Sequence, residues 1–148
     1  MPHTVFSEAW VAASAEEIRA SEEYRVAASR WEWSLLLVLR ADPELGLPDD
    51  RFVYLDLFHG ECRVARLGTA ADADRADFVL GAGPRAWREI LDGRLDPIAG
   101  IMRRQLHLEK GSMTTLAMHA AGAKALVAAA GRVGARFPAM TPEVEEAP

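Results

Sequence analysis

The chain has 148 residues, half of them hydrophobic and 26% charged, which are the proportions of one folded domain rather than a disordered segment. With 17 Lys and Arg against 22 Asp and Glu the net charge is -5, which argues against a nucleic-acid partner. A single cysteine excludes an internal disulfide framework and fits a reducing cytoplasmic setting; no basic-then-apolar leader is evident, and the apolar run Leu35–Leu39 is too short for stable membrane insertion.

Two helices are expected first. Ser7 can cap a segment carrying Trp10, Val11, Ser14 and Ile18 at helical spacing, and Ser14 with Glu17 fits a capping box. Ser21, followed by Glu22 and Glu23, starts a second helix that directs Tyr24 and Ala28 toward Trp31. The period then changes. Trp33–Leu39 reads as a strand buried on both faces, and Asp42 to Asp50 as a loop. Phe52–Phe58 alternates, with Val53, Leu55 and Leu57 on one face and Tyr54, Asp56 and Phe58 on the other. His59-Gly60 makes a hairpin connection to a strand at Cys62–Leu67, with Arg63 and Arg66 outside. An acidic loop at Gly68–Arg75 precedes a fourth strand at Asp77–Gly81.

Gly83-Pro84 switches the chain into a helix with Trp87, Ile90 and Leu91 as its apolar stripe, ended by Gly93. Asp96-Pro97 starts another, with Ile98, Ile101 and Met102 on one face. Leu106 and Leu108 flank His107 in a fifth strand that ends near Gly111, and one long alanine-rich helix is expected from Thr115 to Val133. The order of elements is an α+β pattern, one domain over 1–137 with a loose acidic tail over 138–148.

Tyr54–Arg66, Ala76–Leu80, Trp87, Leu91–Pro97 and Leu106–Gly111, in that order, resemble the sterol carrier protein 2 (SCP-2) sterol-transfer family, with Gly93 to Pro97 as the most specific piece. The tryptophan-bearing Glu8-Ala-Trp10 start is similar to that of its small stand-alone microbial members. The resemblance implies a five-stranded sheet covered on one face by helices with an apolar cavity between them. It also implies binding of fatty acids, fatty acyl-CoA or sterols without chemical change. One departure stands out: members often carry glycine before the last strand, where Arg104 or Gln105 stands here.

No residue set reads as catalytic. His3, His59, His107 and His119 lack the paired spacing of a metal site, so no metal and no cofactor are expected. Cys62, near His59, reads as a buried thiol rather than a nucleophile. Asp72, Asp74 and Asp77 fail the calcium-loop pattern at Ala76, Asp77 and Gly83 and read as a solvated acidic loop. Gly81-x-Gly83 lacks the third glycine of a dinucleotide site and reads as a turn. Arg103-Arg104 compensates a helix dipole or rims a pocket mouth.

Periodicity makes core of Trp33, Trp87, Leu91, Ile98, Met102, Met113 and Met118; the resemblance makes them pocket lining, methionine suiting varied apolar shapes. On that view Met102→Trp would block the pocket. The leading expectation is therefore a non-enzymatic carrier of an apolar small molecule or lipid. The alternatives are an interaction module, homodimeric and with a collapsed cavity, and an enzyme acting on acyl thioesters through Cys62 or His107.

Overall fold

The computed structural model describes residues 3–138. Five strands form one sheet in the order β4-β3-β2-β5-β6: β2 (Ser34–Leu39), β3 (Arg51–Phe58), β4 (Glu61–Leu67), β5 (Phe78–Ala82) and β6 (His107–Lys110). Only β2 and β5 pair in parallel; β2–β3, β3–β4 and β5–β6 are antiparallel. Six helices join them: α1 (Glu8–Ala20), α2 (Glu22–Ala27), α3 (Pro84–Leu91), α4 (Pro97–Met102), α5 (Met113–Met118) and α6 (Ala120–Gly131). This is the α+β fold with a five-stranded sheet that the sequence leads one to expect. The acidic tail read at 138–148 lies outside the described residues beyond Pro138.

A second, two-stranded sheet has no counterpart in the sequence reading. β1 (His3–Thr4) runs parallel to β7 (Ala135–Arg136) and ties the two ends of the described chain together. Val5 N–H donates to the Arg136 carbonyl at 3.0 Å, and Val5, Phe6 and Phe137 are all buried beside it. Two-residue strands are too short to show alternation, so pattern alone gives no warning of them.

Both faces of β2 are covered, which is why its sequence is apolar throughout. Leu35, Leu37 and Leu39 join the main core under the helices. Leu36 and Val38 form a smaller core on the opposite face with Val79 and Ala76, roofed by the one-turn 3-10 segment Ala70–Ala73. That roof is pinned by Asp72, which is only 7% exposed. Asp72 accepts two bonds from the Arg66 guanidinium, at 2.9 and 3.1 Å, and one from Thr69 N–H at 2.9 Å. Asp77 instead accepts from the N–H and hydroxyl of Ser34, fastening the entry of β5 to that of β2. The expectation of a solvated acidic loop is thus corrected at Asp72, which is buried and must find partners; Asp74 and Asp77 are exposed.

A register shift opposite Asp56 and Leu57 explains how Arg63 and Arg66, three residues apart, lie on one face of β4. The extra residue, Arg63, is left unpaired and the alternation resets. Both guanidinium groups then stack on outer-face rings, Arg63 on Phe58 and Arg66 on Tyr54, each 4.5 Å from the ring centroid.

α6 stands at the centre of the helical layer, touching α1, α2, α3, α4 and α5. Its buried residues are Gly122, Ala125, Leu126, Ala129 and Ala130, small enough to let so many neighbours approach. A Cβ on Gly131 would lie 2.3 Å from the Leu91 carbonyl oxygen, so backbone meets backbone there. The single helix expected from Thr115 to Val133 is in fact two. The chain turns at His119 (φ -112, ψ 30), whose ring meets those of Trp31 and Trp33 edge-on at 5.3 and 5.6 Å. Helix propensity favours continuing; the aromatic contacts favour the turn. Ser14 also departs from expectation. It sits inside α1, which Ser7 caps, so the Ser14–Glu17 capping box does not form.

α3 and α4 end in the same motif with different residues. Gly93 N–H donates to the Ile90 carbonyl and Arg94 N–H to that of Glu89; Arg104 N–H donates to Ile101 and Gln105 N–H to Gly100. The left-handed position is Gly93 (φ 82) in the first and Arg104 (φ 63) in the second. Arg104 therefore holds a conformation that glycine adopts at lower cost. Arg104→Gly is expected to raise stability by about 1 kcal/mol, read as a higher Tm. At Asp72 the paired arginine, the Thr69 N–H and the charge of Arg75 together lower the carboxyl to about 2. Its stabilisation is complete above the ordinary carboxylate range and is lost as pH falls toward about 2. Asp72→Asn should flatten the stability–pH curve between about 4 and 2, measured by urea unfolding.

Candidate functional site

Between the helical layer and the sheet lies an apolar cavity of about 70 Å³. Its floor is the inward face of the sheet: Leu35 and Leu37 of β2, Val53, Leu55 and Leu57 of β3, and Leu80 of β5. This is the apolar half of the alternation in β3, turned inward by the pleat. The roof takes residues from α1 and α2, from Trp87, Ile90 and Leu91 of α3, from Leu116 of α5 and from the Gly122–Ala130 face of α6. Phe6 stacks on Trp10 with ring centroids 5.2 Å apart and tilts against Trp87 at 5.4 Å, forming an aromatic wall at one side.

No Asp, Glu, Lys, Arg or His among the described residues stands on that wall. Its polar groups are neutral. Trp87 Nε1 is already used, donating to the Val38 carbonyl at 2.9 Å. Burial pushes the Tyr24 phenol up, so it stays protonated. Trp10 Nε1 and Ser14 Oγ are buried and have no hydrogen-bond partner among the described residues.

Of the residues expected to line a pocket, Trp87 and Leu91 stand on the cavity wall. Trp33, Ile98 and Met113 are half-buried and are not part of it. Met102 and Met118 are corrected outright: they are 72% and 77% exposed. Each is the last residue of a six-residue helix. Sequence reasoning missed Phe6, Trp10, Ser14, Tyr24 and Trp31 as wall residues. A signal was present in α1: one serine in the middle of an otherwise apolar stripe.

The remaining candidates carry other roles. Gly81 lies within β5, and a Cβ there would collide with the Glu109 carboxylate, which pairs with Arg40; it does not shape the turn. Gly83 is the N-cap of α3. Arg103 is the C-cap of α4, and both it and Arg104 are exposed and off the cavity wall. His59 stacks on Phe58 and lies 3.3 Å from Glu32, while His107 is exposed on β6. Cys62 is buried, with Sγ 3.7 Å from the Val64 carbonyl, and burial raises its thiol against the opposing effect of Arg19. That disfavours the thiolate a nucleophile needs. Iodoacetamide labelling of Cys62 should be slow in the native protein and fast in urea.

The fold is thus an antiparallel-edged sheet with one parallel central pair, a helical layer over one face and an apolar cavity between them. The sequence profile of the SCP-2 sterol transfer family matches residues 15–122, and the chain belongs to that family. It is similar to a crystal structure of sterol carrier protein 2, at 45% identity and TM-score 0.80, covering 88% of this chain and 99% of that one. It is also similar to the solution structure of a conserved hypothetical protein from Thermus thermophilus, at 43% identity and TM-score 0.79, covering 91% and 93%. The apo form of sterol carrier protein 2 from Yarrowia lipolytica shares the fold at 15% identity and TM-score 0.53, covering 85% and 97%. Comparison with curated proteins gives no match. Family and fold together suggest lipid binding or transfer. No helix among the described residues is long and apolar enough to cross a membrane.

Proposed function

We infer that this protein binds an apolar ligand of the fatty-acid, acyl-CoA or sterol-like kind between its helices and sheet, and carries it through the cytoplasm without transforming it. Residues 1–137 act as one domain in this reading. The observation that carries it is the uncharged wall, which offers hydrocarbon a dry surface and few groups to react with. Burying a methylene contributes about 0.8 kcal/mol, so a tetradecanoyl chain brings roughly 11 kcal/mol gross. Association and ordering costs reduce this to the range of micromolar binding.

The size of the cavity sets a condition. At about 70 Å³ it has under half the volume of an engineered cavity of ~150 Å³ that admits benzene. A long chain therefore enters by moving wall side chains or whole helices outward. The same small volume favours a second reading, a protein-interaction or dimerising module whose core is closed without ligand. A net charge of -5 supports neither reading over the other but does disfavour nucleic acid as the partner.

Ala123, half-buried on α6, lines the cavity, whereas Met102 does not. Ala123→Trp takes up the room of at least about two methylenes and should weaken uptake of a fluorescent fatty acid on the order of tenfold. Met102→Trp should bind as the parent does. A folded Ala123→Trp protein with unchanged uptake would reject the cavity as the site. Absence of any uptake by the parent, with a stable dimer in native mass spectrometry, would favour the interaction module.

A further inference from the structure

A carrier of plain hydrocarbon has no use for hydrogen-bond donors in its wall. Yet Trp10 and Ser14, 3% and 5% exposed, both stand on it with Nε1 and Oγ unpaired among the described residues. They are four residues apart on α1 and so lie one above the other on the same helix face. Each buried, unpaired polar group costs stability in the empty protein, and Ser14 cannot be counted as an ordinary helix cap, because Ser7 fills that place. Phenylalanine and alanine would fill these positions with no such cost. What the pair offers is one N–H donor, and one hydroxyl that both donates and accepts, a turn of helix apart in a dry setting.

We propose that Trp10 and Ser14 form a recognition site, inside the cavity, for a neutral oxygen on the ligand: a hydroxyl or carbonyl group carried on a long apolar body. This rests on the carrier reading and narrows it. The chemistry excludes a carboxylate at this end of the ligand. Among the described residues no cation lines the wall, so an anion would be buried without a counter-charge. A neutral oxygen, by contrast, satisfies Trp10 Nε1 and leaves Ser14 free to donate to it or to accept from a ligand hydroxyl. Trp10 is held for this by its stack on Phe6, and Ser14 by the helix beneath it. A water could take the same place in the empty cavity, and a ligand oxygen would then reproduce its bonds.

The test uses decane, 2-decanone, 1-decanol and decanoate as probes in a fluorescence-displacement assay on the parent, Trp10→Phe and Ser14→Ala proteins. Trp10→Phe keeps an aromatic ring against Phe6 but removes the donor. Ser14→Ala removes a buried unpaired hydroxyl, so its unliganded Tm should be equal or higher, which separates lost binding from lost folding. In each variant the affinity for 2-decanone and 1-decanol should fall on the order of three- to tenfold, the effect of one hydrogen bond, while that for decane holds. The carbonyl stretch of bound 2-decanone should lie at lower frequency in the parent than in Trp10→Phe. Decanoate at neutral pH, entering methyl end first with its carboxylate in water, should bind both variants as it binds the parent. Equal losses for decane and 2-decanone, an unshifted carbonyl band, or a loss for decanoate equal to that for the ketone would each overturn the assignment while leaving the carrier intact. Failure of the parent to bind any of the probes would overturn both.

Discussion

The close approach of α6 to the five helices around it is the constraint on which the rest of the structure depends. Gly122, Ala125, Ala129, Ala130 and Gly131 give α6 almost no side-chain thickness where its neighbours press on it. Five helices can then share one contact surface and still lie within reach of a five-stranded sheet. Bulkier residues there would push α1 and α3 apart and dissolve the aromatic wall of Phe6, Trp10 and Trp87. Alanine is the best helix former, but that is not sufficient reason for these residues. Their position on the buried face is what the packing requires.

The cavity follows from the same arrangement. Small residues on α6 face large ones on the sheet, and the mismatch leaves a gap that no side chain fills. Protein interiors are usually packed to crystal density, so an apolar void of this kind lowers stability in the empty state. Trp10 and Ser14 add a second cost of the same sign. Two departures from good packing in one place are unusual in a core selected only for stability, and residues violate the rules of packing most often where they serve a ligand. Away from the cavity Asp72 and Asp77 both have partners, and on its wall Trp87 Nε1 has one as well. Among the described residues, the buried side-chain groups without a partner are confined to the cavity wall.

Much of this was legible beforehand, for reasons that can be given residue by residue. The capping serines Ser7 and Ser21 and the Asp96-Pro97 start mark helices by satisfying their first N–H groups, a local effect. The alternation in β3 fixed its inward face. The resemblance to the SCP-2 family placed the cavity between sheet and helices. The site residues were harder. Spacing put Met102 on one face with Ile98 and Ile101, and Met118 inside one long helix; both instead stand exposed at the ends of short helices.

The sequence by itself determined which segments are helix or strand, which residues share a face, and the family to which the chain belongs, because these depend on contacts within a turn or two of chain and on ordered motifs. Only the tertiary structure decided what each face meets. It broke the alanine-rich helix at His119 against Trp31 and Trp33, reset β4 through the bulge at Arg63, and paired β1 with β7 across nearly the whole chain. It also set Trp10 and Ser14 against an apolar cavity instead of against partners. The physical reason is common to all four: each is settled by contacts between residues distant in sequence, and periodicity carries no information about the far side of a contact.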